Sequence, residues 1–413
     1  MRCANRRATH TTRLTPGRQC PAQHDRLRRH GLNESLRRCE SSEMATAPKH
    51  ATSHIKSIQV SAYTIPTDFP ESDGTLEWDR TTIVLVEAKS GEIGGIGYTY
   101  ADISTAKLID SLLRTVVEGR DAMDVAGAWL AMTQAIRNLG RPGIASMAIS
   151  AVDIALWDLK AKLLRLPLVK LLGAVRNRIP VYGSGGFTSY PIDQLQRQLS
   201  DWIKSGIRMV KMKVGRQVND DPKRVLCARA AIGENAGLLV DANGAYGRKQ
   251  ALSLAERFRE ADVSWFEEPV SSDDLEGLRF IREQAPKEME IAAGEYGYDA
   301  RYFRAMLESG AVDVLQADAT RCGGITGFLQ AGVLCAAHST PISAHTAPSI
   351  HKHVCCALAS AVHVEYFHDH VRIENLAFDG VQEPHKGCLI PDATRFGLGL
   401  EIRRANLEKY AIR

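Results

Sequence analysis

Residues 237–269 read GLLVDANGAYGRKQALSLAERFREADVSWFEEP. Two short apolar runs, each ending in an acid, flank a segment with helical periodicity. Strand, helix, strand in that order calls for a parallel sheet with the helix packed outside it. The rhythm extends in both directions from Pro180 onward. Strands are expected at IPVYGS (179–184), MVKMKV (209–214), GLLVDAN (237–243), VSWFEEP (263–269), EIAAGE (290–295), DVLQAD (313–318), PISAH (341–345) and VHVEYF (362–367). Eight such units suit an α/β fold of the TIM-barrel kind.

In such a barrel the strand C-termini meet at one rim, and these strands end in chemistry. Lys211 and Lys213, then Asp241, Glu267, Glu295, Asp318, His345 and Glu365 fall there, at intervals from Lys213 of 28, 26, 28, 23, 27 and 20 residues. A single acid after a strand is usually a helix cap or a surface charge. Six consecutive strands repeating the pattern make coincidence a poor explanation. Asp241, Glu267 and Glu295 offer hard oxygen ligands without Cys or His, which suits Mg²⁺. Glu267 and Glu268 are neighbours and face opposite ways in a strand, so periodicity leaves open which is the ligand. Lys211 and Lys213 share a face. Mutual repulsion beside a divalent cation is expected to lower both pKa values, as a lysine base requires. Asp318 and His345 end adjacent strands, where the carboxylate can fix the imidazole tautomer and raise its basicity.

The motifs VKMKVG, DANG, FEEP, GE, DATRCGGITG, SAH and VEYF, in this order and spacing, closely resemble the mandelate racemase subgroup of the enolase superfamily. Residues 148–173 (AISAVDIALWDLKAKLLRLPLVKLLG) and 397–410 (GLGLEIRRANLEKY) resemble that family's linker into the barrel and its return to the cap. The resemblance spans roughly residues 55–413. It implies an α+β capping domain over a modified TIM (β/α) barrel. It makes Asp241, Glu267 and Glu295 the Mg²⁺ ligands, Lys213 one base with Lys211 as its electrostatic neighbour, and Asp318–His345 the other base. It has Glu365 donate a hydrogen bond to the substrate carboxylate as an enediolate forms. A homo-oligomer acting on a small-molecule carboxylate is implied as well. Ala161 and Arg165 stand where members of the family often have Gly, which touches the linker and not the chemistry.

Two bases permit racemisation or epimerisation and equally acid-sugar dehydration. A racemase is the runner-up to dehydration, and cycloisomerisation comes third, because that branch of the family more often pairs two lysines than a Lys with a His–Asp dyad. A catalytically inactive binding barrel is the alternative outside enzymology. The segment TIPTDFPESDGTLEWDR (64–80) is expected to cover the pocket. Its acids Asp68, Glu71, Asp73, Glu77 and Asp79, with Ser72, favour a polar substrate and hence dehydration to a 2-keto-3-deoxy acid. Phe69 and Trp78 point towards an aromatic hydroxy acid. His368, Asp369 and His370 lie outside the motif set and read as a solvated loop.

Upstream, IKSIQVSAYTI (55–65), TTIVLVEAKS (81–90) and GEIGGIGYTY (91–100) read as a small antiparallel sheet, followed by helical patterning from about 104 to 172. The glycine-rich stretch lacks G-x-G-x-x-G spacing and opens no helix, so bends in a sheet are expected, not a phosphate loop. The expected boundaries are a disordered extension at 1–43 ahead of Met44, a capping domain at 44–175, the catalytic barrel at 176–384, and a returning segment at 385–413.

The net charge of +4 is misleading. Residues 1–43 carry ten Arg, no Lys and four acids, which leaves −2 for the rest. That argues against nucleic acid or anionic lipid as a partner of the globular part. No apolar run is long enough to span a membrane. The nine Cys form no C-x-x-C pair and no secretory h-region is present, so a reducing cytoplasm is expected.

Overall fold

The structure of the protein, a computed structural model, describes residues 53–412. The expectation of disorder at 1–43 concerns residues outside that range. Three antiparallel strands, β1 (Ser57–Ser72), β2 (Glu77–Ser90) and β3 (Ile93–Tyr100), pair in that order. The unbroken apolar run in β2 has a simple cause. Val84, Val86 and Ala88 bury one face against the cap's own helices, while Ile83 and Leu85 bury the other in the core shared with the barrel. A sheet covered on both faces has no polar side to alternate with.

The long helix Ile144–Leu163 lies on β3. Its path explains the glycine-rich stretch differently from the sequence reading. A Cβ on Gly95 would sit 2.2 Å from the Ala155 carbonyl oxygen, and one on Gly97 2.1 Å from that of Ala151. These glycines are not bends. They stand in a continuous strand and let helix and strand backbones approach closely. The helix ends at Arg165, whose φ of 57° is the left-handed conformation that glycine adopts without strain. That is where the family's glycine was expected.

Eight parallel strands follow: β4 (Ile179–Gly185), β5 (Met209–Lys213), β6 (Gly237–Asp241), β7 (Val263–Glu267), β8 (Glu290–Ala293), β9 (Val314–Ala317), β10 (Ile342–Ala344) and β11 (Ala361–Phe367). Each pairs with the next, and β11 pairs with β4 to close a barrel with a helix after every strand. The modified TIM barrel with an α+β cap is therefore present. Tyr182, Leu239, Trp265, Ala292 and Val314 form a separate interior cluster, joined by Met209. This plug marks the inward face of β4 to β9. Two or four residues further along the same face come Lys211 and Lys213, Asp241, Glu267 and Asp318.

Cap and barrel are joined by buried polar groups. Asp153 on the long helix accepts hydrogen bonds from the Thr326 N–H and hydroxyl, at 3.0 and 2.6 Å. Asp158 accepts from the Ile96 N–H at 2.7 Å and the Leu398 N–H at 2.6 Å, tying β3 to the C-terminal segment. That segment reaches β1, where the Ile412 N–H donates to the Ala62 carbonyl at 2.9 Å.

Candidate active site

All eight candidate residues lie at the C-terminal mouth of the barrel and are buried. Seven follow the interior phase, whereas Glu295 stands in the turn after β8, three residues past inward-facing Ala292. Asp241, Glu267 and Glu295 each offer an oxygen within 4.8 Å of the others. Glu267, not Glu268, belongs to this cluster, because it shares the inward face of β7 with Trp265, whose Nε1 donates to its Oε2 at 3.0 Å. The residues fit a hard divalent cation. Three buried carboxylates converge, and Glu295 Oε2 accepts no hydrogen bond. Burial, then repulsion from Asp241, pushes the Glu267 carboxyl well above the usual carboxylate range. A divalent cation would favour the ionised form of all three carboxylates.

Lys211 Nζ lies 2.5 Å from Glu267 Oε1, 2.8 Å from Glu365 Oε1 and 3.4 Å from Asp241 Oδ2. Lys213 Nζ lies 2.5 Å from Asp241 Oδ2. The expected lowering of the lysine pKa values depends on a divalent cation beside them, and the protein's own groups act the other way. Burial pushes both ammonium groups down, but the Glu267 and Glu365 carboxylates at Lys211, and Asp241 at Lys213, outweigh it and raise them. Repulsion between the lysines is the smaller effect, because each has its own carboxylate closer at hand.

Opposite them, His345 Nδ1 is 2.9 Å from Asp318 Oδ2. Asp318 Oδ1 accepts from the Thr320 N–H and hydroxyl at 2.7 and 2.8 Å. Burial alone would raise the Asp318 carboxyl, but the hydrogen bond and charge of His345, with Arg321 nearby, hold it well below its ordinary value. An ionised Asp318 assigns the proton of His345 to Nδ1 and leaves Nε2 for proton exchange. Nε2 points into the site, 3.2 Å from Glu295 Oε2 and 3.7 Å from Glu365 Oε2. Glu365 accepts from the Thr346 N–H at 3.1 Å. Lys211, then His345 and Lys213, outweigh burial and hold the Glu365 carboxyl below its ordinary value.

Above this floor lies a cavity of about 410 Å³. Lys213, Glu295 and His345 reach it from the barrel, and Asp73, Leu76, Trp78 and Arg80 close it from the cap. The covering role of the 64–80 segment is thus present, but its acids are mostly elsewhere. Only Asp73 of the five lines the cavity, while Glu71 is buried and accepts from Trp78 Nε1 at 2.9 Å.

Sequence reasoning missed Arg321, Tyr100 and His370, which complete the walls. Arg321 Nη1 is 3.4 Å from Glu295 Oε1 and its Nε 3.6 Å from Asp318 Oδ2. Its position three residues after Asp318 was the available signal. The solvated-loop reading of His368–His370 is wrong. β11 runs directly into the helix His368–Ala377, which buries Asp369 and His370. His370 stacks on Tyr100 with ring centroids 3.5 Å apart and 15° between planes.

Comparison with known proteins agrees with this geometry. Residues 59–173 match the N-terminal domain of mandelate racemase/muconate lactonizing enzyme, and residues 194–406 match the enolase C-terminal domain-like family. The chain is 32% identical over 361 residues to L-talarate/galactarate dehydratase of Salmonella typhimurium, covering 84% of this chain and 89% of that one. The crystal structure of that dehydratase with Mg and L-lyxarohydroxamate superposes with a TM-score of 0.81 at 28% identity, covering 89% of this chain and 95% of the other. The chain is 33% identical to 3,6-anhydro-α-L-galactonate cycloisomerase of Streptomyces coelicolor, over 85% of this chain and 98% of that one. A mandelate racemase/muconate lactonizing enzyme-like protein from Rubrobacter xylanophilus is 55% identical with a TM-score of 0.85, covering 87% of this chain and all of the other. The chain belongs to the mandelate racemase/muconate lactonizing enzyme family of the enolase superfamily.

Proposed function

We propose that this protein is a Mg²⁺-dependent acid-sugar dehydratase that removes the proton α to a carboxylate and releases a 2-keto-3-deoxy acid. The observation that carries the reading is the placement of Lys213 and the Asp318–His345 dyad on two sides of one cavity, over three converging carboxylates. Asp241, Glu267 and Glu295 hold the cation. Mg²⁺ held there would supply positive charge where the substrate carboxylate gains electron density.

Lys213, as the neutral amine that a cation held on the carboxylates beside it would favour, takes the α-proton, with Lys211 next to it. His345, starting as the imidazolium with Nδ1–H held by Asp318, delivers its Nε2 proton to the β-hydroxyl, which leaves as water. Asp318 holds the resulting imidazole in its tautomer. The enol left between C2 and C3 tautomerises to the 2-keto acid. Glu365 faces the substrate carboxylate, and donation from it requires a proton it gains only as negative charge arrives beside it. Arg80 and Arg321 line the cavity and suit an anionic, hydroxylated substrate. Dehydratases recur among the relatives, including arabinonate dehydratase of Saccharolobus solfataricus.

Cycloisomerisation is the second reading, favoured by the similarity to the Streptomyces cycloisomerase. Mass spectrometry on a library of mono- and diacid sugars separates the two. Dehydration removes one water and yields a 2-keto acid, whereas an isomerase leaves the mass unchanged. Turnover without loss of water rejects the dehydratase reading.

A further inference from the structure

A second group of metal-ligating side chains lies outside the catalytic cavity. Asp68 and Glu71 come from the end of β1, and His368 opens the helix after β11. One ligand atom from each lies within 4.8 Å of the other two. His368 Nε2 is 3.1 and 2.9 Å from the two Asp68 oxygens. Glu71 is fully buried; its Oε2 is occupied by Trp78 Nε1, and its Oε1 has no hydrogen-bond partner. A buried carboxylate oxygen without a donor is costly and calls for a counter-charge.

The surrounding charges do not supply one. Asp369 adds a further carboxylate nearby, and Arg372 is committed to Asp369 and to the Pro66 carbonyl. Among the described residues no Lys or Arg pairs with Asp68 or Glu71. Access is open, because Asp68 and His368 line a surface depression with Phe69 and Tyr190.

We infer that Asp68, Glu71 and His368 form a second divalent-cation site, distinct from the catalytic one, that clamps the cap strand β1 to the barrel helix His368–Ala377. One imidazole nitrogen with two carboxylates is a donor set for a cation of the Zn²⁺ class, in contrast to the all-oxygen catalytic cluster. A cation there ties together two parts of the chain 300 residues apart. It also fixes Glu71, which holds Trp78 in the wall of the cavity.

The test uses the full chain, stripped with a chelator and resaturated with a large excess of Mg²⁺ to fill the catalytic cluster. Co²⁺ is then titrated as a spectroscopic probe, read by its visible absorption and by bound metal per chain. The expected result is one equivalent of Co²⁺ taken up in the presence of Mg²⁺, with a rise in melting temperature. His368→Ala and Glu71→Gln each weaken this uptake at least about tenfold. Asp241→Asn, which disrupts the catalytic cluster, leaves it intact, so failure of the functional proposal and failure of this one are distinguishable. Circular dichroism melts confirm that each variant is folded. No uptake above the Mg²⁺ background, uptake kept in His368→Ala, or uptake lost in Asp241→Asn each overturns the proposal.

Discussion

Lys211, Lys213, Asp241, Glu267, Asp318, His345 and Glu365 all occupy one phase of their strands, and that phase is marked below them by Tyr182, Leu239 and Trp265. The order of the candidate site was therefore legible in the sequence, because a strand alternates strictly and polar residues in apolar strands stand out. The choice between Glu267 and Glu268 was not, since both follow Phe266. Trp265 decides it, being the large interior residue two positions before Glu267. Glu267→Gln is expected to weaken Mg²⁺ binding and lower kcat by about 100-fold or more, while Glu268→Gln costs about tenfold. Isothermal titration with Mg²⁺ and steady-state rates check both, and equal effects would remove the distinction. The direction in which the protein's own groups shift a buried lysine is not carried by the sequence. Which charge dominates a buried ammonium depends on distances, and Asp241 at 2.5 Å from Lys213 outweighs its lysine neighbour. His370 was invisible for a related reason. A histidine after a strand reads as loop unless the helix is known to start at once.

At the scale of elements, alternation and helical periodicity located the eight barrel strands and the cap sheet well, because each has its own local signature. What they did not convey is how closely two elements approach. The glycines of β3 read as bends, yet their role is contact with the helix Ile144–Leu163. Gly97→Ala tests this directly. Its Cβ would meet the Ala151 carbonyl oxygen at 2.1 Å and the Ala155 nitrogen at 2.5 Å, both backbone atoms that no side-chain rotation can move. The helix must shift, and it carries Asp153 and Asp158 into the cap–barrel joint. A loss of about 2–4 kcal/mol is expected in chemical denaturation, with a lower melting temperature. Gly94→Ala, which meets nothing closer than the Lys89 side chain at 3.9 Å, is the matched control and is expected to be near neutral. Equal behaviour of the two variants would restore the reading as bends.

For the whole molecule, the cap segment 64–80 and the barrel rim close one cavity, so neither part makes the site alone. The cap supplies Asp73, Trp78 and Arg80, and the barrel supplies Lys213, Glu295 and His345. Among the described residues no helix is long and apolar enough to cross a membrane. The overall reaction depends on which hydroxyl or ring oxygen the substrate presents to His345, and a chain without its substrate does not encode that in any one motif. The proposed dehydratase and cycloisomerase readings share a first step: metal-dependent removal of an α-proton between Lys213 and His345. The direct measurement is exchange of the substrate α-proton with deuterium in D₂O, followed by proton NMR on the acid sugar that turns over, with and without chelator. For wild type, we expect turnover that disappears without Mg²⁺ and returns with it. His345→Asn should stop dehydration yet retain Mg²⁺-dependent α-exchange, and Lys213→Ala should lose both. The reverse pattern would exchange the roles of the two bases and keep the site. Exchange that is indifferent to the metal, or a variant lacking both bases that turns over at the wild-type rate, would contradict the account.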